Sequence, residues 1–75
     1  MKTYELSGAA LRVLNKMRED YRFTDGPQFL DDALDVLYQL AHLTPEERQL
    51  RRELQALSPV ARASMSRAIR AALRN

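Results

Sequence analysis

The sequence predicts a mostly α-helical fold with a short N-terminal strand, completed by pairing with a second copy of the chain. Three observations predict it. Each proline follows a residue able to open a helix, at Gly26-Pro27, Thr44-Pro45 and Ser58-Pro59. Proline suits the first helical position because its missing N–H would be unsatisfied there anyway. Between these marks apolar residues recur at helical spacing. Residues 2–7 instead alternate, with Tyr4 and Leu6 on one face and Thr3, Glu5 and Ser7 on the other.

That alternation reads as a strand, and the rest of the chain offers no second one. A lone strand leaves its backbone donors and acceptors unpaired, and the simplest remedy is the same strand of a second copy in a two-fold dimer. The first helix is expected from near Ser7-Gly8, because Ala9 to Arg22 is rich in helix formers and puts Ala10, Leu11, Leu14, Met17 and Tyr21 on one face. The second, from near Pro27, is apolar over about half its circumference, through Phe29, Leu30, Ala33, Leu34, Val36, Leu37, Leu40 and Ala41. Such a helix belongs in the middle of an assembly. Thr44-Pro45-Glu46-Glu47 is a capping box that starts the third helix, whose apolar residues are Leu50, Leu54 and Leu57. The fourth follows Ser58 and offers Met65, Ile69 and Leu73. The last two helices are expected to form a hairpin with a thin seam, giving units of 1–43 and 44–75.

Composition narrows the class. Seventy-five residues make one domain, with no Cys, no Trp and one histidine, His42. This excludes a disulfide framework and a cysteine zinc site, the usual staples of small proteins. No apolar run spans a membrane, and the N-terminus lacks the apolar core of a leader, so a cytoplasmic protein with no membrane contact is expected. The net charge of +2 hides an asymmetry. Residues 1–43 hold five Lys and Arg against seven acids, a net of −2, whereas residues 44–75 hold seven Arg against three acids, a net of +4.

Strand, helix, short turn and wide-faced helix resemble the ribbon-helix-helix repressors over residues 1–43. The resemblance is carried by Leu6-Ser7, by Leu11, Leu14 and Met17, by the turn Thr24-Asp25-Gly26, and by Phe29-Leu30 and Ala33-Leu34. It implies a homodimer joined through Tyr4, Leu6, Phe29, Leu30, Ala33, Leu34 and Leu37. The paired strands would enter the major groove of double-stranded DNA, where Thr3 and Glu5, with Lys2 at the edge, read bases. Gly26, Pro27 and Gln28 would clamp a backbone phosphate. Arg67, Arg70 and Arg74, along one side of the last helix, would add phosphate contacts. The implied function is a small DNA-binding repressor or autorepressor of a plasmid, phage or toxin–antitoxin locus. The C-terminal pair of helices is also weakly similar to the ends of some phage repressors.

The alternative is a protein–protein interaction module or mobile-element inhibitor that uses the same dimer as a scaffold. Glu5 and Asp25 place negative charge where DNA would lie, and Pro27 removes a clamp amide. The partner would meet either the acidic strip Asp31, Asp32 and Asp35 or the basic C-terminal hairpin. A third possibility is internal, with the basic hairpin docking on that acidic strip.

Catalysis is not expected. Asp31-Asp32-Ala33-Leu34-Asp35 spells the D-D-x-x-D string that holds magnesium-bound diphosphate, but the chain has no second acidic cluster and is too short to enclose the cavity that chemistry needs. The acids instead suit the start of a helix, where the dipole favours them. His42 lacks a second histidine or a cysteine to share a metal, and Ser7, Ser58, Ser64 and Ser66 have no His/Asp arrangement around them. No cofactor is implied.

Overall fold

The computed structural model describes residues 6–23 and 26–73. These form four helices, α1 (Gly8–Asp20), α2 (Phe29–Gln39), α3 (Pro45–Gln55) and α4 (Pro59–Leu73). Local chemistry sets each start. Ser7 Oγ accepts from the Ala10 amide at 3.1 Å and caps α1. Before α3, Thr44 and Glu47 close the capping box in both directions, at 3.1 and 2.9 Å. Ser58 Oγ takes the Ala61 amide at 3.0 Å ahead of α4. The turn into α2 runs through Gly26, whose φ of 114° suits glycine alone.

Order along the chain is not order in space. α1 lies against α3, α3 against α2, and α2 against α4. Leu14, Phe29, Leu30, Leu37, Leu50 and Leu54 are fully buried in one core, joined by Leu6, Ala10, Met17, Ala33, Leu34 and Met65. Residues from before and after position 44 therefore share a single apolar interior. No described helix is long and apolar enough to cross a membrane.

Two features of the expected ribbon-helix-helix dimer are corrected. First, the described residues are all helix and connection, with no strand among them. Residues 2–5 of the expected strand lie outside the described residues, but its end is built otherwise. Leu6 is buried in the chain's own core. The Ser7 amide, which a ladder would need, donates to Glu53 Oε1 at 2.9 Å, and the Ser7 hydroxyl donates to Glu53 Oε2 at 2.7 Å. A carboxylate from α3 thus takes the place of a partner strand. The broad apolar face of α2 is also covered within one chain, because Phe29, Leu30, Ala33, Leu34 and Leu37 are all buried by α3 and α4. Val36 and Leu40 of the same face are half-buried and Ala41 is exposed. Second, α3 and α4 form no hairpin seam. Each packs mainly on other helices, α3 on α1 and α2 and α4 on α2, with Leu50 and Leu54 entering the core from α3 and Met65 from α4.

The start of α2 shows how tightly α4 is tied in. Gln28 provides no side-chain cap. The Leu30 amide instead donates to Ser66 Oγ at 3.1 Å, and Ser66 Oγ donates to the Arg62 carbonyl at 2.7 Å. Ser66 is fully buried, the one polar residue so placed among those described. Its hydroxyl works as an N-terminal cap supplied from 36 residues away.

Ser66→Ala leaves the Leu30 amide buried without an acceptor, and should lower stability by about 1–3 kcal/mol in urea unfolding. Glu53 generates a pH dependence. Burial pushes its carboxyl up, but bonds from the Ser7 amide, the Gln49 amide and the Ser7 hydroxyl, with the charge of Arg52, outweigh burial and hold it below its usual value. A carboxyl held low in the folded state stabilises at neutral pH, and that stability is lost as pH falls through the folded value. The stability difference between the native chain and Glu53→Gln should therefore shrink on acidification below about pH 5. A pH-independent difference would contradict this role.

Candidate nucleic-acid interface

A nucleic-acid surface needs cations whose charge is not already committed inside the fold. The described arginines divide on this point. Arg62 is structural: Nε donates to Asp31 Oδ1 at 2.6 Å, and Nη1 donates to the Leu54 and Leu57 carbonyls at 2.9 and 2.8 Å. It ties the first turn of α2 to the end of α3, where carbonyls lack helical partners and favour a cation. Arg48 Nη1 donates to the Leu43 carbonyl, and Arg52 Nη2 to Gln49 Oε1. Lys16 lies 3.6 Å from Asp20. By contrast, Arg12, Arg22, Arg51 and Arg67 make no hydrogen bond or ion pair among the described residues.

The basic residues gather at one place. Arg18 from the last turn of α1, Arg22 just beyond it and Arg70 from α4 line one open cavity of about 390 Å³ together with Tyr21 and Phe23. No carboxylate lines it among the described residues. Arg18 Nη2 donates to Asn15 Oδ1 at 2.8 Å and to the Leu73 carbonyl at 3.0 Å, closing the end of α4 onto α1. Its Nε is buried without a hydrogen-bond partner among the described residues. The Arg70 guanidinium sits 5.4 Å over the Phe29 ring, a cation–π contact that fixes its position. Tyr21 and Phe23 stack with centroids 6.0 Å apart and planes at 11°, and Phe23 meets Phe29 edge-on at 5.6 Å. Arg67 lies on α4 one turn before Arg70 and is exposed.

The residues expected to read DNA fall differently. Lys2, Thr3, Glu5 and Arg74 lie outside the described residues, as does Tyr4 of the expected dimer interface. Gly26 and Gln28 flank the start of α2, but the amides beyond them are engaged. The Phe29 amide donates to the Gly26 carbonyl at 3.2 Å, and the Leu30 amide to Ser66. Of the acidic strip, Asp31 is bound by Arg62 of the same chain. Asp35 is exposed. The described residues contain no group of three or more His, Cys, Asp or Glu able to hold a metal ion.

The sequence pattern puts Arg67 and Arg70 on one side of the last helix and Tyr21 on the apolar face of the first, where the structure instead leaves Tyr21 exposed beside Arg18 and Arg22. Their spacing of three and four residues was the available signal. A scan against models of known protein families finds no match to this chain, and neither does a search of curated proteins or of solved structures.

The division of the arginines is testable by stability alone. Arg62→Met removes donors from two helix-end carbonyls and should cost about 1–3 kcal/mol in chemical denaturation. Asp31→Asn should cost less than about 1 kcal/mol, because that carboxylate is nearly half exposed and its pairing is screened. Arg67→Met should leave stability within about 0.5 kcal/mol of the native chain.

Proposed function

We propose that the chain is a small DNA-binding regulator that engages the duplex backbone through the basic edge where α1 ends beside α4. One observation carries this reading: Arg18, Arg22 and Arg70 converge on one site with no carboxylate among its described lining, and Arg67 extends the charge one turn along α4. Three or four guanidiniums within one patch suit phosphates spaced along a strand, and arginine forms paired hydrogen bonds to phosphate oxygens. Contacts of this kind position a protein on DNA without selecting a sequence. Sequence preference would then rest on residues outside this edge.

The rival reading, a protein module docking through the acidic strip, has less support, since Arg62 already neutralises Asp31 inside the fold. No paired ribbon is needed for backbone binding of the kind proposed.

Fluorescence anisotropy against duplex DNA across a salt series tests the reading. Three phosphates neutralised per chain give a slope of log affinity on log salt near about −2.7, and Arg67→Gln together with Arg22→Gln should flatten it by about 2. Absence of binding to random and upstream duplexes at low salt would end the proposal.

A further inference from the structure

The cavity at the end of α1 carries more aromatic surface than a phosphate contact on duplex DNA uses, because paired bases stay stacked inside the helix. Tyr21 is 39% exposed although it belongs to a three-ring array. Phe23 stacks on it in nearly parallel planes, and Phe29, fully buried, braces Phe23 edge-on. The array is anchored in the core and ends in an accessible tyrosine. Around it stand Arg18, Arg22 and Arg70. Arg70 is held over Phe29, and Arg22 has its guanidinium donors uncommitted among the described residues. The site is a shallow, open cavity of about 390 Å³ that leaves one side of a bound molecule in solvent.

We propose that this cavity binds a phosphorylated aromatic small molecule of mononucleotide size. Its phosphate is held by Arg22 and Arg70, and its ring lies against Tyr21. The charge selects a phosphate dianion, which accepts paired hydrogen bonds from guanidinium groups. The rings select a flat aromatic body, since stacking of a base on an aromatic side chain adds affinity whatever the base. Arg18, already holding Asn15 and the end of α4, positions the cavity wall and adds a third positive charge. The inference goes beyond duplex binding and does not rest on it. A free mononucleotide satisfies it with or without a DNA partner.

Titration of the ¹⁵N-labelled full chain with adenosine 5′-monophosphate, adenosine and inorganic phosphate, at matched ionic strength, tests the proposal. Adenosine 5′-monophosphate should shift the amide signals of Arg18, Tyr21, Arg22, Phe23 and Arg70, and should bind more tightly than either adenosine or phosphate. Arg22→Gln should weaken it about tenfold, the effect of losing one charge-assisted contact. Tyr21→Leu should remove its advantage over inorganic phosphate while phosphate binding persists. The spectrum of each variant without ligand reports whether the fold is kept. Equal binding of phosphate and adenosine 5′-monophosphate, or shifts scattered over remote arginines such as Arg51, would overturn the proposal. So would perturbation of these residues by a 5′-phosphorylated single strand but not by the mononucleotide, which would make the cavity a strand-binding groove. Duplex binding that persists while the mononucleotide fails would sink this inference and leave the regulator reading standing.

Discussion

The fold turns on how α2 is covered. An 11-residue helix with Phe29, Leu30, Ala33, Leu34 and Leu37 on its surface cannot remain in water. Each large apolar side chain left exposed would forfeit about 1.5–3 kcal/mol of burial. The chain meets this by packing both α3 and α4 against α2, while α1 packs chiefly on α3. Other features follow from that placement. α1 has to pack on α3, Ser66 comes within reach of the exposed start of α2, and Arg62 meets both Asp31 and the end of α3. The polar contacts are thus consequences of the apolar arrangement, and they set its register.

Local signals in the sequence were legible and distant ones were not. Three of the four helix starts follow from capping side chains within three residues, at Ser7, Thr44 and Ser58. Most apolar positions of the helices follow from spacing, but Tyr21 and Ala41, which the spacing assigns to apolar faces, lie beyond the helix ends and are exposed. The misread element was the alternating run before Ser7. Alternation reports that successive side chains face opposite ways, as they do in any extended segment, and is silent on what the backbone bonds to. Glu53, which takes the Ser7 amide, is 46 residues away and looks like an ordinary polar position of α3. A broad apolar face likewise announces that cover is needed without saying whether a second chain or a later helix supplies it.

Charge shows the same limit. The opposite signs of the two halves were visible by counting, and part of their meaning is internal, as the Arg62–Asp31 pair shows. Counting could not separate that arginine from Arg67 five residues later, although one is half-buried against helix-end carbonyls and the other is open to solvent. A guanidinium with several acceptors inside the fold contributes to cohesion, and its field outside is largely cancelled by the carboxylate beside it. The functional weight of a basic half therefore depends on how many arginines remain once the fold has used its share.

By that measure the C-terminal half is less of a DNA surface than its composition implies. Arg48, Arg52 and Arg62 are committed to carbonyls or neighbouring side chains, and Arg70 is engaged against an aromatic ring, which leaves exposed Arg67 and half-buried Arg51 without a hydrogen bond or ion pair among the described residues. The concentration of charge lies instead where the two halves meet in space, with Arg18 and Arg22 contributed by the acidic half and Arg70 by the basic one. The site is composite for the same reason that the core is: covering α2 draws the end of α4 back onto the end of α1, and the Arg18 bond to the Leu73 carbonyl holds it there. Aromatic residues needed to brace Phe29 then lie beside the cations by construction. Once an aromatic wall and a guanidinium cluster share one cavity, its chemistry is set by their combination, an affinity for anions that carry a flat ring, more than by net charge.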